Sequence, residues 1–401
     1  MDEIRPFAAR PADILLPRTG DMTAWSVVAC DQFTSQPEYW RRAEERIGDA
    51  PSALRMILPE AWLGTEKAGD AEDRIAAAME EYLDRDLFAE VKDSFIYVER
   101  TQPDGRVRRG LMAALDLEQY DFAPGARTPV RATEGTVEER LPPRVRIRAR
   151  AALELPHAMV LMDDRDERVL CPLEAAKHRM KKLYDFELML GGGRIAGWRV
   201  SGPLAETVQQ ALCSLGDAAL QREKYGEAAE NGPLVFAVGD GNHSLAAAKR
   251  WWDELKETLS DAERRTHPAR YALAELVNIH DPALDFEPIH RVLFDTDGNV
   301  SLPDDPAWSD PKRTIGERVS AADAFCREAI AAHGGRVDYV HGDAAARELG
   351  STPGCAAVLL PPVRKDGLFL SVLKNGALPR KSFSMGHAED KRYYLECRRI
   401  R

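Results

Sequence analysis

The residues best placed to do chemistry lie in the segment LVFAVGDGNHSLAAAKRWW, where the apolar run Leu234–Val238 meets a polar turn and then a helix. The run predicts a buried strand, and Gly239 and Gly241 permit a tight turn with positive φ. The helix starts at about Asn242 to Ser244, both good N-cap residues. Its unpaired N–H groups point back into the turn, where the helix dipole favours an anion. Asp240 can act as a general base or hold a metal, and His243 can donate a hydrogen bond or a proton to a phosphate. A capped strand–helix connection carries the same residue types without any chemistry, so the turn needs partners.

The arginine stretch offers them. Between Arg127 and Arg150 there are seven arginines against three glutamates (134, 138 and 139), inside a chain of net charge −11. The planar guanidinium fork suits bidentate grip on phosphate or carboxylate. Thr136 with Glu139 fits a capping box, which predicts a short helix from Thr136 that stops before Pro142-Pro143. Arg131 and Glu134 then fall in the loop leading into it, and Glu134 is a second candidate base. Loop-borne charge tends to carry sites, which points to Arg131, Glu134 and Arg140. The alternation of Arg146, Arg148 and Arg150 (RIRAR) predicts the wet face of a strand. A single site requires this stretch and the Gly239–His243 turn to meet in space.

Weaker candidates follow. His290 and Arg291 stand together in FEPIHR, a pair that is more often structural. Asp31 and Gln32 end an expected strand, Trp25–Cys30, where sheets of α/β proteins open onto ligand crevices. Lys381, Ser384, His387 and Lys391 could close over a site, although most such charges are merely solvated. His157 reads as a satisfied core or edge histidine. No GxxxxGK[ST], HExxH, GxSxG, GxGxxG or kinase signature occurs, and no residue is assigned as a fixed metal ligand.

The elements that must position these groups are mixed. Helices are predicted at Pro37–Ile47, Ala71–Phe88, Pro172–Leu190, Leu204–Tyr225, Ser244–Leu259 and Ala321–His333. Ser94–Thr101 and Val107–Leu117 flank a Pro-Asp-Gly turn and predict a hairpin. Strands are expected at Leu155–Met162, Gly197–Val200, Arg270–Ile279 and Val337–His341. Hairpins and strand–helix units together predict an α/β protein with a mixed sheet. A main domain over 1–298, a smaller α/β subdomain over 313–380 and a C-terminal segment over 381–401 returning to the main domain are expected.

At 401 residues with 44% hydrophobic and 30% charged residues, the chain can bury a sizeable core. Net charge −11 argues against nucleic acid or an anionic membrane as the main partner. No apolar run is long enough for a membrane helix, and the start of the chain does not read as a secretory signal. Six dispersed cysteines, none in a CxxC or CxxH spacing, read as free thiols in the cytoplasm. Oligomeric state is left open.

Taken together, IRPFAARP, ACDQFTSQPEYW, RATEGTVEERLPPR, GDGNHSLAAAK and VNIHDPALDFEPIHR make the chain similar to the uncharacterised family known as domain of unknown function 1015. That family's turn usually reads Asp-Gly-His-His-Arg. Here Asp240, Gly241 and His243 match, while Asn242 replaces the first His and Ser244 the Arg. The turn also resembles that of free serine kinases, whose fold is shared with ParB- and sulfiredoxin-like nucleotide-binding domains. The resemblance implies phosphoryl transfer between an adenine nucleotide and a small hydroxy compound such as serine, with Mg²⁺ as cofactor and a phosphorylated small molecule as partner. On that reading Gly239, Gly241, Asn242, Ser244, Arg131, Thr136 and Arg140 hold phosphoryl oxygens. Arg131, Arg140, Arg144 or Arg291 compensates for the arginine missing at position 244, and His290 is a further candidate for the phosphate or nucleotide. A nucleotide-binding regulator without turnover is a second reading. A metal-assisted phosphatase using Asp240, His243 and His290 is a third.

Overall fold

The computed structural model describes residues 8–18, 20–298 and 300–401. Residues 1–7, which include the first half of IRPFAARP, together with Thr19 and Asn299, lie outside them. The fold is mixed α/β, as the interleaved hairpins and strand–helix units predict.

A sheet of eleven strands forms the body. Its long hairpin, Phe88–Thr101 and Val107–Asp116, turns at Asp104-Gly105 and pairs Ile96 with Met112. Both strands are nearly continuous runs of buried apolar residues toward the sheet centre, which suits strands covered on both faces. Tyr271–Asn278 lies antiparallel to Val107–Asp116 and parallel to Met159–Met162. Phe236–Asp240 follows, antiparallel to Met159–Met162 and parallel to Val130–Ala132. Strand Phe236–Asp240 is thus flanked by the arginine stretch on one side.

A second sheet is built around Phe286–Phe294, which pairs antiparallel with Arg336–His341, Ala356–Val358 and Phe383–Met385. Helix Ile315–His333, opened by a Thr314/Glu317 capping box, packs Val319, Ala322 and Cys326 against Leu293 and Val358 of this sheet. Helix Lys365–Asn375 instead inserts Leu368, Phe369 and Val372 among Met159, Leu161 and Ala237 of the large sheet. Among the described residues no helix is long and apolar enough to cross a membrane.

Several local expectations are corrected. Pro142 and Pro143 open the helix Leu141–Arg150 instead of ending one, because the first helical N–H groups have no partner to lose. RIRAR is therefore helical. Arg146 and Arg150 pair with Glu72 and Asp73 of helix Ala71–Asp84, and Arg148 lies over the Trp251 ring. Thr136 caps nothing: a short 3-10 turn, Glu138–Arg140, precedes that helix, with Val137 at its N-cap. Pro172–Leu190 divides into a short helix, Cys171–Ala176, and an edge strand, Lys182–Glu187, whose exposed charges are paired across to Arg194–Val200. Trp25–Cys30 is a single helical turn, Met22–Trp25, followed by the two-residue strand Val27–Val28.

Candidate functional site

The Gly239–His243 turn is built as close packing demands. Strand Phe236–Asp240 shifts register against Met159–Met162 between Val238 and Asp240, which turns the polar end out of the sheet. A Cβ at Gly239 would stand 2.6 Å from Met385 Sδ. One at Gly241 would stand 2.8 Å from Ala158 Cα, and Gly241 holds φ 78°, a conformation that favours glycine. Helix Asn242–Lys256 then runs back, burying Leu245, Ala246, Trp251 and Trp252. No side chain caps it and no acidic residue occupies its first turn, so its leading N–H groups face the space beside the turn.

That space is a cleft of about 1100 Å³. One wall is the loop Cys30–Gln36 with Glu60; a second is Glu134, Arg140 and Arg144 from the arginine stretch. The third comes from far along the chain: Arg380, Lys381, Phe383–His387 and Lys391, with Glu287 and His341 of the small sheet behind them. The arginine stretch and the turn therefore meet. Val137 N–H donates to His243 Nε2 at 3.3 Å. The stretch is in turn tied to the late segment, since Leu378 N–H donates to Thr133 O and Gly135 N–H to Leu378 O.

Charge in the cleft is finely divided. His243 is pushed down to about 4 by burial and by the fields of Arg144, Arg140 and Arg380, so its ring is neutral near pH 7. Because Val137 N–H can only donate, Nε2 is an acceptor and the ring proton sits on Nδ1. Burial raises the Glu134 carboxyl above its ordinary value, against the bond from Lys381 N–H and the charges of Lys381 and Arg380. Burial works the same way on Asp31, but a bond from Gln32 and the charge of Lys391 work against it, and that carboxyl is held low. Cys30 lines the cleft with its thiol pushed up to about 12 by burial, which removes it as a nucleophile at neutral pH. Asp240 Oδ2 is buried without a hydrogen-bond partner, and Lys391 Nζ stands 3.5 Å away. Arg144 is engaged with Glu60 and with Arg140 O, whereas Arg140 and Arg380 carry no ion pair among the described residues.

Fifteen of the residues singled out from sequence line this cleft: Asp31, Gln32, Glu134, Arg140, Arg144, Gly239, Asp240, Gly241, Asn242, His243, Ser244, Lys381, Ser384, His387 and Lys391. Four do not. Arg131 is buried and spends its guanidinium on the carbonyls of Thr128, Asn231, Gly232 and Pro233, a structural role in place of a phosphate contact. Thr136 keeps its hydroxyl buried away from the cleft lining. His290 Nε2 bonds Asp343 and its Nδ1 accepts from Leu360 N–H, so it cannot join Asp240 and His243 around a metal. Arg291 is buried, bonded to Asp323, Ile289 O and Lys381 O, and supplies nothing to the turn. Among the described residues no three His, Cys, Asp or Glu side chains form a metal-holding group.

Sequence reasoning underrated Lys391, expected to be solvated but only 7% exposed, and His157, which lines the cleft as well as the core. It missed Arg380, Glu60, Glu287 and His341 altogether. No local pattern marks these residues; only the pairing of distant segments brings them in.

No curated protein matches the chain. Among solved structures it is similar to a mutant free serine kinase in complex with AMP, at 7% identity and a TM-score of 0.33, over 72% of this chain and 93% of that one. The family model described as protein of unknown function (DUF1015) matches residues 4–303, and the chain belongs to that family.

Proposed function

We propose that the cleft transfers a phosphoryl group between a nucleotide and a small hydroxy compound, with serine and phosphoserine the leading pair. One observation carries the reading. The uncapped start of helix Asn242–Lys256, Arg140 and Arg380, which have no ion pair among the described residues, and a carboxyl made more basic by burial, Glu134, all open on the same space. Phosphoryl transfer asks a protein mostly for positioning and charge neutralisation. The helix N–H groups and the two arginines hold phosphoryl oxygens, and the neutral His243 donates its Nδ1–H to one of them. Glu134 takes the proton of the attacking hydroxyl, for which a raised pKa makes it the better base.

Asp240 Oδ2, buried and without a hydrogen-bond partner, has the hard anionic oxygen that a hydrated Mg²⁺ accepts beside phosphate. Asp240 with Glu134 would hold such an ion, whose contribution is to neutralise phosphate charge.

The test is phosphorus NMR of the purified chain with Mg²⁺, phosphoserine and AMP, ADP or ATP, with serine and ATP run alongside. Loss of the phosphoserine signal with a matching nucleotide product is expected. Free phosphate with no nucleotide change means a hydrolase. Broadened nucleotide lines without turnover mean a binding regulator, the reading favoured by Ser244 standing where an arginine is usual.

A further inference from the structure

Ser244 occupies the first turn of the helix that opens on the cleft, and its hydroxyl does not stand alone. His157 Nε2 lies 3.3 Å from Ser244 Oγ. On the other side of the same ring, His157 Nδ1 lies 2.8 Å from the Tyr394 hydroxyl. Tyr394 in turn lies 3.3 Å from the backbone nitrogen of Cys30. Tyr394 and His157 are both buried, at 2% and 6% exposure, and their rings meet edge to face. Ser244 is half-buried at the cleft wall. The row thus leads from the fully enclosed interior to the helix start where an anion is expected.

Elementary donor and acceptor rules give the row a direction. The Cys30 backbone N–H can only donate, so the Tyr394 oxygen accepts there. A buried hydroxyl proton needs an acceptor, and of the two beside it, the Cys30 sulfur and His157 Nδ1, the imidazole nitrogen is much the stronger. Nδ1 is then the bare nitrogen of a neutral imidazole, and the ring proton sits on Nε2. Nε2–H donates to Ser244 Oγ, which occupies an oxygen lone pair and leaves the Ser244 proton as the free end. That proton is available to the cleft.

We infer that Ser244 is a fixed hydrogen-bond donor to the anionic group of the ligand, and that His157 and Tyr394 are the positioning residues that aim its hydroxyl. The inference rests on the anion-handling reading of the cleft and adds to it two residues that act through Ser244. The same polarity rules out a Ser–His nucleophile: with its proton on Nε2, His157 cannot take the proton of Ser244. The ligand group recognised is an oxyanion with a lone pair to spare for a neutral donor, beside the helix N–H groups. A phosphate monoester and free phosphate share this chemistry.

The experiment uses the full chain and two readouts. The first is nitrogen-15 NMR of the histidine rings, assigned through His157→Gln. His157 is expected as the Nε2–H tautomer in the wild type and as a tautomer mixture in Tyr394→Phe. The Nδ1–H tautomer in the wild type overturns the inference, whatever the cleft binds. The second is a double-mutant cycle on binding, with inorganic phosphate and phosphoserine as separate probes. Ser244→Ala is expected to weaken both by about tenfold, the usual worth of one hydrogen bond to a charged group. Tyr394→Phe should weaken both by about threefold. The pair Ser244→Ala with Tyr394→Phe should be no weaker than Ser244→Ala alone, because the aim of an absent hydroxyl no longer matters. Losses that multiply in the double variant overturn the inference, since Tyr394 would then act through the fold at large. Unchanged binding in Ser244→Ala overturns it while leaving the anion site standing. A wild-type chain that binds neither probe overturns both.

Discussion

Lys391 Nζ lies 3.5 Å from Asp240 Oδ2, although the two residues come from separate parts of the chain and both side chains are largely shielded from water. Opposite charges in such a place attract more strongly than at a wet surface. At 3.5 Å with Oδ2 otherwise unbonded, the pair leaves the oxygen open to a further cation. Asp240→Asn is therefore expected to cut phosphotransfer by about a hundredfold or more, the usual loss when one group that stabilises charge in the transition state is removed. Thermal denaturation should show the fold intact, because Asn keeps the shape and polarity of the turn. Retained turnover would remove Asp240 from the proposed machinery.

Glu134 gives a prediction of opposite sign for stability and activity. Its folded pKa is raised by burial above the ordinary 4.5, so the folded chain holds that proton more tightly than the unfolded chain. Stability from this group is fully present below about 4.5 and declines as pH rises through the raised value. Glu134→Gln should consequently melt at the same or a higher temperature at pH 7 while losing turnover. A lower melting temperature with normal turnover would make Glu134 a structural residue.

His243 sets an acid limb. Its folded pKa is about 4 against an ordinary 6.5, so between those values the unfolded chain binds more protons. Stability therefore falls as pH drops from 6.5 toward 4, and levels off below. Replacing His243 with Gln, which retains an acceptor for Val137 N–H, should flatten the melting temperature over that interval. Turnover of the wild type should show no His243 titration between pH 6 and 8 on the same ground.

Two arginines of one stretch should separate cleanly. Arg140→Met is expected to weaken inorganic phosphate by about tenfold with little change in stability, as loss of one charge-assisted contact does. Arg131→Met should leave the affinity alone and destabilise the chain by about 1–3 kcal/mol, because it orphans buried carbonyls. Isothermal titration and urea denaturation of the two variants decide this, and exchanged outcomes would reverse the assignments.

The same contrast shows how far the amino-acid sequence could be read. Helix Pro37–Ile47 is legible to the residue, since Pro37 marks its first turn and Tyr39, Trp40 and Ala43 its apolar face, of which Trp40 and Ala43 are buried together with Ile47. The Gly239–His243 turn is legible because glycine spacing, an apolar run and polar residues state the same geometry together. Arg131 and Arg140 are indistinguishable in sequence: each is an arginine in a polar segment. What separates them is whether carbonyls from Asn231–Pro233 happen to lie within reach. RIRAR misleads because alternation has meaning only on a strand, and the preceding prolines start a helix. Lys391 and His157 gain their place from strand pairings such as Tyr393–Tyr394 with Val27–Val28, which no short-range pattern encodes.

Those late pairings have a consequence for the order in which the protein comes into being. Leu378 joins Thr133 and Gly135, Phe383–Met385 joins Phe286–Pro288, Tyr393–Tyr394 joins Val27–Val28, and Arg398–Arg399 joins Leu153–Glu154. A nascent chain that has emerged only as far as Leu360 already contains Asp240, His243, Glu134 and Arg140. It has no Arg380, no Lys391 and no Tyr394, and its Val27–Val28 edge is still unpaired. The cleft is thus assembled only once the ribosome has delivered the segment that knits the two sheets together, and on the proposed reading a prematurely terminated product lacks turnover.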